Sequence, residues 1–223
     1  MGKITTVVFD LDGTILDTLD DLANSVNYAL RAFGFPERTR EQVRRTVGHG
    51  VRDLIGRSVP EGTDPDTMQK CLEMFRTHYR EHMQDETRPY EDVLPVLREL
   101  VNRGVRLACL SNKFDAAVKE LCFRFFSDYI CMAVGESEKL AKKPAPDGLL
   151  HIMEELGATR DDTVYVGDSA GDVKTSHNAG VPCVAVTWGF RDRPSLEAAG
   201  ADWIIDRAQD LLTLKDKSGQ SLF

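Results

Sequence analysis

The sequence predicts an α/β protein: a doubly wound, mainly parallel sheet with an all-helical block inserted near its start. Two observations carry that reading. Short apolar, β-branched runs alternate with segments of helical period over most of the chain. Near-continuous apolar strands separated by helices are the pattern of a parallel sheet covered on both faces. From residue 18 to about 86 the alternation stops, and helical patterns follow one another with no convincing strand between them.

Residues 4–9 form the first strand. Leu19, Leu22, Ala23, Val26, Ala29, Leu30 and Phe33 then make one helical stripe, stopped by Gly34-Phe35-Pro36. Residues 41–47 and 51–58 continue the helical pattern, as does the stripe Met68, Cys71, Leu72, Phe75, Tyr79. The α/β rhythm resumes with a helix at 92–101, its apolar positions Val93, Val96, Leu97, Leu100 and Val101 three or four apart. Strands are predicted at 105–110, 129–134, 163–166, 183–187 and 203–205, with helices at 114–123, 147–156 and 169–179. Residues 1–15 and 87–223 thus form the α/β core, and 16–86 a helical cap. Insertions are tolerated where a loop tip leaves a sheet, and such sheets bind ligands at the carboxyl ends of their strands. The inserted block reads as a lid.

Composition narrows the function. Apolar residues are 42% and charged residues 29% of 223, ordinary for a globular protein, and a chain of this size buries roughly 70% of its unfolded surface. The formal net charge of −8 disfavours binding of nucleic acid or an anionic membrane through the general surface, so an anionic substrate needs a locally positive site. No stretch approaches the roughly 18 apolar residues of a membrane span, and the N-terminal run lacks a signal-peptide core, which points to the cytoplasm. The MGKITT start fits a loose myristoylation pattern, but the residues after it read as a buried strand. Five cysteines, odd in number and without a CxxC pair, read as reduced, mostly buried thiols.

The chemistry lies at the strand ends. The first strand runs into FDLDGTILD, where Asp10 and Asp12 share one face of an extended segment. Gly13 can take an unusual backbone conformation, and Thr14 supplies a hydroxyl and an N–H. Alone, DxDGT fits a calcium-type loop or a simple turn equally, although the distal Glu of an EF-hand loop is missing. Ser111-Asn112-Lys113 follows the second core strand at a strand-to-helix turn, which alone would be a helix N-cap. Lys142-Lys143-Pro144-Ala145-Pro146-Asp147 alone would be solvated surface, yet its prolines stiffen the backbone beside Lys143. Gly167-Asp168-Ser169-Ala170-Gly171-Asp172 alone would be a capping segment. Together these are four clusters on one edge of one sheet. Four converging carboxylates need a divalent cation, and oxygen-only ligands favour magnesium. Such a site, with lysine, hydroxyl and backbone N–H groups added, suits a phosphoryl group.

With these motifs in view, the sequence resembles haloacid-dehalogenase-superfamily phosphatases, most of all the phosphoglycolate phosphatase branch. The four motifs of that superfamily occur in order from Asp10 to Asp172, and the helical insert is similar to the family's cap. FDLDGTILDTLDDLA and the cap segment RRTVGHGVRDLI carry the branch resemblance. The resemblance implies a Rossmann-like core and a magnesium-dependent phosphomonoester hydrolase that works through an aspartyl-phosphate and converts 2-phosphoglycolate to glycolate and phosphate. It implies Asp10 as nucleophile, and Asp12 as general acid and then base. Magnesium is implied on Asp10, the Asp12 carbonyl and Asp168, with Asp172 a further ligand or a partner orienting Lys143 or bound water. Gly13, Thr14, Ser111, Asn112 and Lys143 are implied as phosphate-binding residues.

Substrate choice is expected in the cap, where the Gly48-His49-Gly50 loop lies between Arg45 and Arg52 and could read the leaving group's carboxylate. A plain turn and solvated arginines fit those residues as well. Other reactions of the superfamily are pyrophosphatase, nucleotidase and phosphosugar phosphatase or mutase chemistry. A dehalogenase would leave Asp12 without a task. A phospho-receiver signalling domain combines similar groups, but its acceptor stands on a middle strand without a large insert. The expected partner is a small phosphorylated metabolite, with no nucleic acid and no membrane, and the chain is expected as a monomer or homodimer.

Overall fold

The structure, a computed structural model, describes residues 3–216 and 218–223. The Gly2 of the myristoylation pattern lies outside the described residues. The chain divides into two compact units, Met1–Leu16 with Pro89–Phe223, and Asp17–Arg88. In chain order, β1 (Thr6–Phe9) and the two-residue β2 (Leu16–Asp17) precede four helices, α1 (Leu19–Ala32), α2 (Arg40–Thr46), α3 (Val51–Ser58) and α4 (Pro65–His82). After β3 (Arg88–Pro89), which pairs with β2, come α5 (Val93–Asn102), β4 (Arg106–Phe114), α6 (Asp115–Phe126) and β5 (Ile130–Glu136). The chain then forms α7 (Asp147–Glu155), β6 (Thr163–Gly167), α8 (Ala170–Ala179), β7 (Cys183–Val186), α9 (Arg193–Ala199) and β8 (Trp203–Ile205), closed by a 3-10 helix at Ala208–Thr213.

Six strands form one sheet in the order β5-β4-β1-β6-β7-β8, parallel at every pairing. β1 stands inside it, Phe9 opposite Cys109 of β4 on one side and Val166 of β6 on the other. The chain winds outward from β1 to β5, crosses back, and winds outward again from β6 to β8. The carboxyl ends of β1 and β6 therefore flank the switch point where such sheets bind ligands.

Both faces are covered, which is why the strands read as continuous apolar runs. Val8, Ala108, Leu110, Tyr165 and Cys183 pack with Leu149, Ile152 and Met153 of α7 and Val173 of α8. The alternate residues Phe9 and Val166, together with Ile205, meet Val93, Val96 and Leu97 of α5 and Leu211. Each fully buried aliphatic side chain contributes roughly 1.5–3 kcal/mol.

The sequence reading differs from the fold in two places that matter. β4 continues to Phe114 instead of ending at residue 110, so Ser111, Asn112 and Lys113 lie in the strand and not in a turn. A register irregularity against β5 between Leu110 and Phe114 accommodates these polar residues. Sequence periodicity predicts no helix at α9, whose signal is in its caps. Asp192 accepts the Ser195 N–H at 3.1 Å, a proline stands in the first turn, and Gly200 ends the helix at φ 82°.

In the helical unit, Leu22, Val26, Ala29 and Leu30 of α1 are buried, as are Cys71, Leu72, Phe75 and Tyr79 of the helix it packs against, α4. Asp21 is buried and accepts the N–H groups of Glu86 (3.0 Å) and Thr87 (2.9 Å). Thr39 and Gln42 form a reciprocal cap on α2, and Asp64 caps α4. His78 bonds Ser25 Oγ at 2.9 Å and stacks on Tyr28 and His82. All five cysteines are free thiols, and four are buried while Cys131 is exposed. Among the described residues, no helix is long and apolar enough to cross a membrane.

Candidate active site

Strand register gathers the carboxylates. Asp10 follows β1 and donates its N–H to the carbonyl of Val166 at 2.8 Å, extending the β1–β6 ladder by one residue. Asp168 follows β6, and Asp172 lies in the first turn of α8. All three are buried, and one carboxylate oxygen from each falls within 4.8 Å of the others. Close approach here depends on glycine. Gly13 has φ 85°, and a side chain on it would run into Asp168 Oδ2, while one on Gly167 would run into Asp172.

Lys143 joins this group from the loop after β5, where the Lys143–Pro144 peptide is cis. Its Nζ lies 2.8 Å from Asp10 Oδ1, 2.7 Å from Asp172 Oδ1, 3.0 Å from Tyr165 Oη and 3.3 Å from the Leu110 carbonyl. Asp172 is engaged on both oxygens: Oδ1 also accepts from Tyr165 Oη at 3.1 Å, and Oδ2 from Ser169 Oγ at 2.6 Å. The Asn112 amide accepts the Lys143 N–H at 2.8 Å and donates to the Lys143 carbonyl at 3.0 Å. A second buried ammonium, Lys113 Nζ, lies 2.6 Å from Asp12 Oδ1. Ser111 Oγ accepts the Lys113 N–H at 3.2 Å.

These carboxyls sit where ionisation is costly. Burial, then the charges of Asp172 and Asp168, push Asp10 well above the ordinary carboxylate range, with Lys143 opposing. Burial and Asp172 push Asp168 up to about 7, against the Phe190 N–H that it accepts at 2.6 Å and the charges of Arg191 and Lys143. Burial alone would lower Lys143, but Asp10 and Asp172 more than offset it and hold the ammonium above its usual value. Buried acids of this kind, with oxygen donors only, suit a hard divalent cation, whose charge would relieve their mutual repulsion.

The sequence-predicted residues fall into three groups. Asp10, Asp168, Asp172 and Lys143 meet at one place. Asp12, Ser111 and Asn112 adjoin it, with Asp12 joined to Lys113 and Asn112 acting through its side chain on the Lys143 peptide. The Thr14 side chain packs apart from these groups. It lines a small apolar cavity with Phe9, Ile15, Val166 and Trp188, and its fully buried hydroxyl has no hydrogen-bond partner among the described residues. Its N–H is directed to the Leu11 carbonyl (3.3 Å), and that of Gly13 to Leu16 (2.9 Å). Arg45, Arg52 and His49 belong to the helical unit. There Arg45 pairs with Glu41 at 3.0 Å, Arg52 donates to Gln69 at 2.8 Å, and His49 is exposed between two positive-φ glycines.

Three contributors escaped the sequence reading. Lys113 stood beside Ser111 and Asn112 but carried no assigned role. Tyr165 was a lone phenol in an aliphatic strand. The Phe190 N–H is a backbone group that no side-chain motif could signal.

Comparison with known proteins agrees with this geometry. The haloacid dehalogenase-like hydrolase family model matches residues 7–186. The phosphoglycolate phosphatase of Pseudomonas putida is 34% identical, the match covering 92% of this chain and 78% of that protein. That of Mannheimia succiniciproducens is 33% identical over 96% of this chain and 99% of its own. The crystal structure of a candidate phosphoglycolate phosphatase from Lactobacillus delbrueckii subsp. bulgaricus superposes with a TM-score of 0.89 at 34% identity, covering 94% of this chain and 97% of the other. The chain thus belongs to the haloacid dehalogenase-like hydrolase family.

Proposed function

We propose that the chain is a magnesium-dependent phosphomonoester hydrolase acting through an aspartyl-phosphate, with 2-phosphoglycolate as substrate. The observation that carries this reading is Asp10, a buried carboxylate at the switch point, 2.8 Å from a buried ammonium and clustered with Asp168. Asp10 attacks phosphorus in line with the ester oxygen, and the departing alkoxide takes the proton of Asp12. Asp12 then removes a proton from water, which attacks the acyl-phosphate and frees Asp10 and phosphate. Lys143 and Ser111 hold the phosphoryl oxygens, and positioning with charge offset supplies most of the acceleration. Magnesium would be held by Asp10, Asp168 and the carbonyl of Asp12, and when bound it neutralises phosphoryl charge and fixes the line of attack. Asp172, engaged on both oxygens, orients Lys143.

The branch resemblance and the phosphoglycolate phosphatases among its relatives support the substrate. In this reading the helical unit is the cap that governs access and substrate choice, with His49 on its loop. The test is magnesium-dependent phosphate release from 2-phosphoglycolate, sugar phosphates, nucleotides and pyrophosphate, with Asp10→Asn as the blank. Release from 2-phosphoglycolate that vanishes with EDTA and in the blank is the expected result. An undiminished rate in Asp10→Asn would overturn the mechanism, and preference for another ester would overturn the substrate.

A further inference from the structure

Two buried lysines serve this site, and the phosphoryl chemistry uses one of them. Lys143 is engaged with Asp10 and Asp172, the nucleophile and its supporting acid. Lys113 is engaged with Asp12, the residue that faces the leaving group in the proposed reaction. Its side chain is 3% exposed and that of Asp12 12%, so this ammonium is held in a desolvated position. Burying an ammonium is costly unless anions meet it.

We infer that Lys113 is a specificity-determining residue: its ammonium binds a carboxylate on the ester carbon, so the site selects phosphate esters of 2-hydroxy carboxylic acids. The inference rests on Asp12 being the acid for the leaving group. A general acid works within about 2.6–3.2 Å of the oxygen it protonates. Lys113 Nζ is 2.6 Å from Asp12 Oδ1, so it stands one contact beyond the leaving oxygen. A carboxylate on the carbon bearing that oxygen comes within reach of the ammonium, whereas a neutral group there gains nothing from it. The lysine is aimed by its place in β4, not by a mobile loop. Phe9 of β1 and Cys109 of β4 are in register, so the chain segments carrying Asp12 and Lys113 run side by side, and Ser111 Oγ fixes the Lys113 N–H. An ammonium–carboxylate hydrogen bond in a desolvated site is among the stronger polar contacts, and its loss corresponds to about 10- to 100-fold in binding or rate.

The test compares 2-phosphoglycolate with its neutral isostere 2-hydroxyethyl phosphate, in wild type, Lys113→Met and Lys113→Arg, with thermal unfolding recorded for each. Wild type is expected to favour 2-phosphoglycolate in kcat/KM. Lys113→Met is expected to lose about 10- to 100-fold more on 2-phosphoglycolate than on the isostere, while Lys113→Arg retains part of the preference. Equal losses on both esters in Lys113→Met would show that the lysine only supports Asp12 and would overturn the inference. So would a wild type with no preference, a result that does not depend on any variant folding. Wild type inert towards both esters and all other phosphates would instead overturn the phosphatase reading.

Discussion

The side-chain amide of Asn112 brackets the backbone of Lys143, accepting its N–H at 2.8 Å and donating to its carbonyl at 3.0 Å. A strand residue thereby fixes a loop 31 positions away, as a neighbouring strand would, and the Lys143 side chain starts from a defined point. Asn112→Ala leaves two buried backbone groups unpaired, at about 1–3 kcal/mol each. Urea unfolding should show a loss of about 2 kcal/mol or more, and kcat should fall with it, because Lys143 is no longer held against Asp10. An unchanged kcat would mean that the loop holds its place without the clamp.

Asp10→Asn removes the proposed nucleophile and one of three crowded buried acids. Turnover should fall on the order of 10⁴-fold or more, as for other nucleophile deletions. The metal-free protein should at the same time unfold at a higher temperature than wild type, since burial and like charge oppose the ionised Asp10. A lower midpoint in EDTA would show that its pairing with Lys143 outweighs that strain.

Asp168 gives the metal-free protein a pH dependence of definite sign. Its folded value of about 7 lies above its ordinary 3.8, so the folded chain holds a proton that the unfolded chain has already released. This contribution is fully present below about pH 4 and is lost as the pH rises through 7. Urea unfolding in EDTA should therefore show wild type losing stability relative to Asp168→Asn between pH 4.5 and 7.5. Stabilisation by added magnesium should grow over the same interval, because the metal takes the ionised carboxylate.

Thr14 separates the phosphate-binding expectation from the observed packing. Its hydroxyl is buried beside apolar groups and, among the described residues, unpartnered. Thr14→Val keeps the shape and removes the orphan, so stability should rise by about 1 kcal/mol with KM unchanged. A raised KM would return the hydroxyl to the substrate.

Much of this site was legible because parallel strands end together. Asp10 and Asp168 each follow an apolar run, and runs paired in register deliver their next residues to one rim. Lys143 was legible from the prolines beside it. Lys113 was not, because β4 was read as ending at Leu110, and only the continued strand carries this side chain to Asp12. Tyr165 was hidden by its surroundings, since one phenol among aliphatic residues looks like core packing until its hydroxyl meets Lys143 and Asp172. The packing of the Thr14 hydroxyl was not legible, because a sequence names a hydroxyl without telling which side of the sheet receives it.

The central position of β1 also sets the order in which this protein becomes competent during synthesis. Thr6 is paired with Arg106 on one flank and Thr163 on the other, so β1, the earliest of these six strands in the chain, gains its second neighbour only when β6 has been made. A nascent chain halted before Lys143 carries Asp10 without that ammonium and without Asp168 and Asp172. The cluster of buried acids around Asp10 is therefore complete only once β6 and the first turn of α8 are in place.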